Sequence, residues 1–430
     1  MGREFEELDR YLLITSDTHA GLAPSLYKPY LAKKWHSDLA VWVQSGEEAE
    51  KLMRQVMGER SIGVGGHPDR DANRNWDSKR RLEESEADGV VAEVIFPNTV
   101  PPFAPMPMSA FEEPTLGNDL EKQWAGLQAH NRWLAEFCAE APGRRAGIAQ
   151  IFLPNIEGSI EEIRWAKENG LRGGVLLPGA PPGSDLPPLY APVYEPIWAV
   201  CEELEMPINH HAGGGTPDYG MYLPHSMAMF MLEVTWWSHR ALWHLIFSGV
   251  FERHPKLQFV LTETGIGWAP ETLRSLDSMY DRMKYEKQCS EHLIGGPAVA
   301  ALSLKPSEYF ARQCHLGASF LPPTECAMRY EIGVDRIMWG TDYPHIESSY
   351  PYTRELMRLS FAGVDPAEIQ QIVAGNAAIV YGFDLDFLAP LAARVGPTKA
   401  EIAEPLPYSS VPDAARKCPG FAPDRQLPGL

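Results

Sequence analysis

No two of the six cysteines are spaced as a Cys-x-x-Cys pair; they stand at positions 138, 201, 289, 314, 326 and 418. In a chain of 430 residues this scatter excludes a disulfide-stapled fold and a zinc–thiolate site. No uncharged apolar run reaches membrane-spanning length. Basic charge is scarce as well: 38 Lys and Arg against 57 Asp and Glu give a net charge of −19 and an isoelectric point near 5.2. A surface so acidic repels phosphate backbones and anionic lipid heads, so neither nucleic acid nor a membrane is expected as a partner. The basic clusters Lys33-Lys34, Lys79-Arg80-Arg81 and Arg144-Arg145 are short and read as solvated charge on loops and helix ends. The N-terminal stretch carries acidic residues ahead of its apolar run, unlike the basic head of a signal peptide, and the cytoplasm is the expected compartment.

What the chain does have is alternation. The apolar run Tyr11–Thr15 reads as a buried strand, and further strands are expected at Val90–Phe96, Ala146–Phe152, Gly173–Leu177, Met206–His210, Gln258–Leu261 and Arg336–Trp339. Helical patterns separate them, including a long amphipathic one from about Asn118 to Ala139, Arg240–Phe251 and Pro322–Ile332. Short apolar strands between helices are the mark of a parallel sheet covered on both faces. Seven strands are counted, and Cys314–Phe320 is a plausible eighth. An open doubly wound sheet is the alternative, but that fold places a Gly-rich phosphate loop after its first strand, where this chain has Asp17-Thr18-His19. The expected fold is therefore an α/β (β/α)8 TIM barrel over residues 1–384, with helical insertions (the main one at about 20–85). An extended C-terminal tail is expected over 385–430.

In a barrel, the C-terminal ends of the strands carry the active site. Asp17 and His19, two apart at the end of the first strand, project from one side. His210 and His211 close a middle strand, Glu263 ends a later one, and Asp342 ends the last in Trp339-Gly340-Thr341-Asp342-Tyr343-Pro344-His345. Each pair alone is commonplace; nitrogen and oxygen donors at four strand ends together suit Zn²⁺, Mn²⁺ or Fe²⁺ with a position open for water or substrate. Alternation lets only one of His210 and His211 point inward.

Six segments resemble the amidohydrolase superfamily, in the branch related to aminocarboxymuconate semialdehyde decarboxylase. They are Ser16-Asp17-Thr18-His19-Ala20-Gly21, Pro207–His211, His254–Leu257, Gly265-Ile266-Gly267-Trp268, Arg336–Pro344 and Gly375–Ala378. The resemblance implies a mononuclear metal barrel with Asp17, His19, His211 and Asp342 as ligands. Two departures stand out. The usual His-x-His or Glu-x-His of the first strand is Asp17-Thr18-His19, and Glu263 replaces a His that activates metal-bound water in relatives.

His210 then faces the barrel wall or contacts substrate, His345 contacts substrate or caps a helix, and Trp268 walls the pocket or belongs to the core. His239 and His244 read as structural. The helical run Met227–Phe247, rich in Met and Trp, buries between subunits or covers the site as a lid, and a homo-oligomer, dimer or higher, is expected. The polar stretch Asp69–Asn75 folds over the barrel mouth or is a solvated loop, the second being the simpler reading. The expected function is metal-dependent hydrolysis of a small organic molecule, with one divalent ion, zinc first and manganese or iron behind it. Asp342 would be the proton-transfer group, and Glu263 would stay ionised to orient water. Non-oxidative decarboxylation of an aromatic or dienoic acid is the alternative, and an inactive metal-bearing binding protein the third reading.

Overall fold

A computed structural model describes residues 8–57, 72–98, 101–104, 119–220 and 222–426. Residues Asp69–Asp71 of the polar stretch, and the start of the helix expected from about Asn118, lie outside the described residues. Nine parallel ladder segments run in chain order: β1 Leu13–Ala20, β2 Val90–Pro97, β3 Arg145–Gly147, β4 Ala149–Gln150, β5 Val175–Leu176, β6 Ile208–His211, β7 Phe259–Thr262, β8 Cys314–Ser319 and β9 Ile337–Gly340. They pair in the order β1-β2-β3 and β4-β5-β6-β7-β8-β9. Only Ile148 separates β3 from β4. Its N–H donates back to Ile95 at 3.0 Å, while Ala149 donates forward to Gly174 at 2.9 Å. The two segments are thus one strand handing the ladder on, and eight strands result.

The barrel closes between its last strand and its first. Asp342 N–H donates to the Asp17 carbonyl at 2.9 Å, and His19 N–H donates to the Tyr343 carbonyl at 2.7 Å. Side-chain parity divides the buried residues into two cores. Ile14, Val94, Ile148, Leu176, Val260 and Met338 point inward, where Ala377 and Tyr381 of the helix Asn376–Tyr381 complete the packing. Their neighbours Leu13, Ile95, Val175, Ile208, Phe259 and Ile337 point outward against the surrounding helices. Burial on both faces is why these strands read as uninterrupted apolar runs.

Several expectations need correction. The segment expected as helix Pro322–Ile332 is two single turns, Pro323–Cys326 and Arg329–Ile332. The tail is not extended throughout: Asp384 caps a helix, Leu385–Val395, by accepting from Phe387 N–H at 3.0 Å, and Thr398 with Glu401 forms a capping box on Lys399–Ala403. Beyond it, Leu406, Val411, Ala415 and Phe421 pack on Phe320, Leu356 and Leu359. The arginine clusters are not all solvated either. Arg81, on the helix Ser78–Ala87, is fully buried and contacts both Glu93 oxygens at 3.0 and 2.8 Å; Arg145, also buried, reaches Glu93 at 3.1 Å. Losing one partner of such a buried set costs about 3–5 kcal/mol. No described helix is long and apolar enough to cross a membrane.

Asp88 follows the same helix, buried, with Thr353 N–H at 3.4 Å. Burial pushes its carboxyl up from 3.8 to about 7. The folded chain therefore binds this proton more tightly than the unfolded chain, and the associated stability is present below pH 3.8 and lost as pH rises to about 7. Asp88→Asn should escape that loss, which is on the order of 4 kcal/mol. The gap in Tm between variant and wild type should widen in the variant's favour across this window; a constant gap would show that Asp88 ionises normally.

Candidate metal centre

Two departures from regular backbone aim the polar side chains into the barrel mouth. Along β1, Ile14 points inward, and simple alternation would send Thr18 inward too. The β1–β2 register slips between Thr15 and Thr18. This irregularity switches the parity. Thr18 instead turns to Glu93 and the Val94 carbonyl, at 3.2 and 2.8 Å, and Asp17 and His19 face the mouth. Along β7, Val260 points inward and Leu261 outward, so Glu263 would follow Leu261. Its φ of 56° breaks the alternation, as does the 60° of Asp342. Non-glycine residues in this left-handed region cost about 1–3 kcal/mol and gather at functional sites. Gly340 has a steric role: a Cβ there would stand 2.7 Å from Asp17 Cβ, so only glycine lets the first and last strands approach.

His19 Nδ1 lies 3.1 Å from the Pro97 carbonyl and His211 Nδ1 3.2 Å from the Ala212 carbonyl. A carbonyl only accepts, so each Nδ1 carries a proton and each Nε2 is turned to the centre. His19 Nε2 stands 3.4 Å from Asp17 Oδ1 and 3.2 Å from Asp342 Oδ1; His211 Nε2 stands 3.5 Å from Asp17 Oδ1 and 3.3 Å from Glu263 Oε2. Donor atoms of Asp17, His19, His211 and Glu263 all lie within 4.8 Å of one another, and Asp342 forms further sets with His19 and His345 and with Glu263 and Glu347. Two imidazole nitrogens with carboxylate oxygens suit a first-row divalent ion. Asp342 Oδ2, buried without a hydrogen-bond partner among the described residues, is an acceptor that a cation would satisfy.

The protein's own charges also favour a cation here. Burial opposes charge on Asp17, yet hydrogen bonds with His19 and His211 outweigh it and hold the carboxyl well below its ordinary range. Burial opposes charge on His19 as well, but Asp17 and Asp342 win and push it well above the ordinary imidazole value. Glu263 goes the other way: burial first, then the charges of Asp342 and Asp17, raise it well above the ordinary carboxyl value. The ionised state expected of Glu263 belongs to a centre that holds a cation, whose charge would lower this carboxyl again.

His345 joins the centre, with Nδ1 2.7 Å from Asp342 Oδ1, Nε2 2.9 Å from Asn98 Oδ1, and its ring 4.1 Å from that of His19. His210 shares the outward parity of Ile208; its Nδ1 lies 2.8 Å from the Leu177 carbonyl, and a Cβ on Gly214 would stand 2.4 Å from its ring. It is wedged in the wall between the Leu177 carbonyl and Gly214. Trp268 stacks on His239 at 3.8 Å and donates to the Gly265 carbonyl at 2.9 Å, bracing the loop after Glu263. Sequence reasoning missed Ser319, which donates to Asp17 Oδ2 from the end of β8, Asn98, directly after β2, and Glu347, on the loop that follows β9. Ser319 sits in the strand counted only as plausible, and position at a strand end was the signal available.

The family model for Amidohydrolase matches residues 17–383. The chain belongs to this family. A gamma-resorcylate decarboxylase of Rhizobium sp. (strain MTP-10005) is 29% identical over 224 residues, covering 50% of this chain and 64% of the relative, so the match spans just under two thirds of that protein. Among solved structures, 5-carboxyvanillate decarboxylase from Sphingomonas paucimobilis has a TM-score of 0.63 at 20% identity, covering 87% of this chain and all of that one (100%). A dihydroxybenzoic acid decarboxylase from Polaromonas sp. JS666, holding manganese and the inhibitor 2-nitroresorcinol, has a TM-score of 0.59 at 19% identity over 86% of this chain and 97% of its own. These names overturn the expectation of hydrolysis, and the ion in the Polaromonas structure is manganese where zinc was expected first.

The parity of β6 makes a sharp test of the centre. His211→Ala should strip the protein from about one metal ion per chain to nearly none by elemental analysis. His210→Ala should keep the ion and lose on the order of 2 kcal/mol of stability through its abandoned carbonyl partner. The reverse pattern would place the wrong histidine in the barrel.

Proposed function

We propose that this amidohydrolase is a metal-dependent decarboxylase of hydroxylated aromatic carboxylic acids. The observation that carries the reading is geometric: the left-handed backbone at Glu263, φ 56°, turns its carboxyl into the cluster of metal-type donors, with Oε2 3.3 Å from His211 Nε2. A hydrolase needs a base at that position to take a proton from water, whereas a decarboxylase needs an acid to give one to carbon. The relatives' names supply the reaction class and the substrate type.

Asp17, His19, His211 and Asp342 would hold the cation, Asp342 because it meets the same face of His19 while Glu263 keeps its proton. When bound, a divalent ion supplies the positive charge that draws an anionic acid into a mouth lined by carboxylates, and it polarises the neighbouring hydroxyl. Glu263 delivers its proton to the ring carbon that bears the carboxylate. The bond from that carbon to the carboxylate then breaks, its electron pair restores the aromatic ring, and carbon dioxide leaves. Glu263 is left as the carboxylate and regains a proton before the next turnover. His345 and Asn98 fix the orientation of Asp342 from the far side. Phe96, buried with its ring 4.6 Å from that of His211, gives the mouth an apolar wall that keeps the donors dry.

Protein loaded with Mn²⁺ should release carbon dioxide from 2,6-dihydroxybenzoate or 5-carboxyvanillate. In D2O the product should carry one deuterium at the vacated ring carbon. Glu263→Gln should keep the metal but lower kcat by about 10²–10⁴, the range for a positioned acid. Asp342→Asn, which removes a ligand charge and the partner of His345, should lose metal and turnover together. No carbon dioxide from any member of a hydroxybenzoate panel would overturn the proposal, and a fully active Glu263→Gln would remove Glu263 as the acid.

A further inference from the structure

The strand that hands the ladder on ends in a polar side chain that the metal centre does not use. Gln150 closes β4, and its neighbours fix where it points. Ile148 belongs to the interior core and Ala149 to the outer one, so alternation turns Gln150 inward, beside Leu176, its partner on β5. Leu176 in turn pairs with Asn209 on β6. In a closed, tilted barrel each step to the next strand raises the level by about one residue. Two steps bring Gln150 to the height of His211, two residues beyond Asn209, and so to the level of the metal-type donors.

The backbone of Gln150 is held from outside. On the helix Leu120–Ala139, Asn131 Oδ1 accepts from Gln150 N–H at 2.8 Å, and Asn131 Nδ2 donates to the Gln150 carbonyl at 2.9 Å. The side chain has no such support. It is 2% exposed, and among the described residues neither its Oε1 nor its Nε2 has a hydrogen-bond partner. A primary amide offers donors and lone pairs together, and burying both unanswered is unfavourable. Methionine would fill the same space without that loss. An unanswered amide aimed into the mouth of a site points to a ligand that answers it.

The surroundings say what that ligand presents. The metal-type donors come from β1 and β6 and from residues that follow β7 and β9. Between β1 and β6 the other arc of the barrel, β2, β4 and β5, turns Phe96, Gln150 and Leu176 inward, one neutral amide between two apolar side chains. The Phe96 ring lies 5.9 Å from that of His19 and 4.6 Å from that of His211, so this arc adjoins the centre. Apolar walls with one uncharged amide suit an aromatic ring that carries an uncharged oxygen. We propose that Gln150 determines specificity by receiving a second hydroxyl on the ring of the aromatic acid. Such a hydroxyl donates to Oε1 or accepts from Nε2. The inference rests on the reading above that the substrate is a hydroxylated aromatic acid, and it names which members of that class are preferred.

The test reads binding without turnover. Protein loaded with Mn²⁺ would be titrated calorimetrically with 2-nitrophenol and with its ring-hydroxylated analogues, 2-nitroresorcinol among them. The wild type should bind at least one hydroxylated analogue about ten- to a hundredfold more tightly than 2-nitrophenol, the range for answering a buried, unpartnered group. Gln150→Met should abolish that preference and keep its manganese, and its Tm should rise because two unanswered polar atoms leave the interior. A Met variant that keeps the wild-type preference would overturn the proposal. So would a wild type that binds none of these ligands, or one that binds 2-nitrophenol as tightly as every analogue. A Met variant of lower Tm would also overturn it, by making Gln150 a structural residue. A wild type that prefers a hydroxylated analogue, loses the preference in Gln150→Met and yet releases no carbon dioxide from any hydroxybenzoate would support this subsite while ending the decarboxylase reading.

Discussion

The seam between the first and last strands is the constraint on which the rest of this molecule depends. Two backbone hydrogen bonds, Asp342 to Asp17 and His19 to Tyr343, close the barrel there. The same two bonds fix the distance between the carboxylates and imidazole of the centre, because the ligand residues themselves form the closing contacts. Gly340 permits the approach by lacking a Cβ. Thr15 Oγ1 ties the strands again by accepting from Thr341 N–H at 2.9 Å. Closing the fold and assembling the site are thus one event, and anything that splays this seam pulls Asp342 away from His19.

Charge is handled in two ways within a short distance. Behind the strands, Glu93 is neutralised by Arg81 and Arg145, and Arg81 also donates to the His19 carbonyl at 2.7 Å while its guanidinium lies 4.9 Å from the Tyr343 ring. Burying carboxylates and guanidiniums together is costly unless they are paired, and here Glu93 is paired with both arginines, at 2.7 and 3.1 Å. In front of the strands the ion pairs of Asp17, Glu263 and Asp342, among the described residues, are with histidines alone. The insert helix that carries Arg81 therefore holds the backbone of a ligand residue from outside, while the mouth is left rich in negative charge. Such a mouth suits a cation, whose charge would offset that of the carboxylates.

Glu263 stands where its surroundings oppose a carboxylate: burial first, then the nearby charges of Asp342 and Asp17, raise it well above the ordinary carboxyl value. The left-handed backbone at this residue, which costs about 1–3 kcal/mol, turns the side chain toward the barrel mouth.

Much of the architecture was legible in the sequence because it rests on local patterns. Buried parallel strands need apolar runs whatever surrounds them, so the strands were visible in place, though the first, expected at Tyr11–Thr15, runs from Leu13 to Ala20 because its polar second half is also paired. Other features depend on contacts made far along the chain. Arg81 and Arg145 look like surface charge until β2 brings Glu93 between them. The tail looks extended because Asp384 and the Thr398–Glu401 box are short signals among prolines and alanines. Above all, parity along a strand is readable only while the backbone stays regular. The slip between Thr15 and Thr18 and the left-handed φ of Glu263 each turn a side chain to the face opposite the one alternation assigns. The sequence determined which residues could bind a metal; the closed barrel decided which of them face one another, because only packing against neighbouring strands can hold a backbone in those irregular conformations.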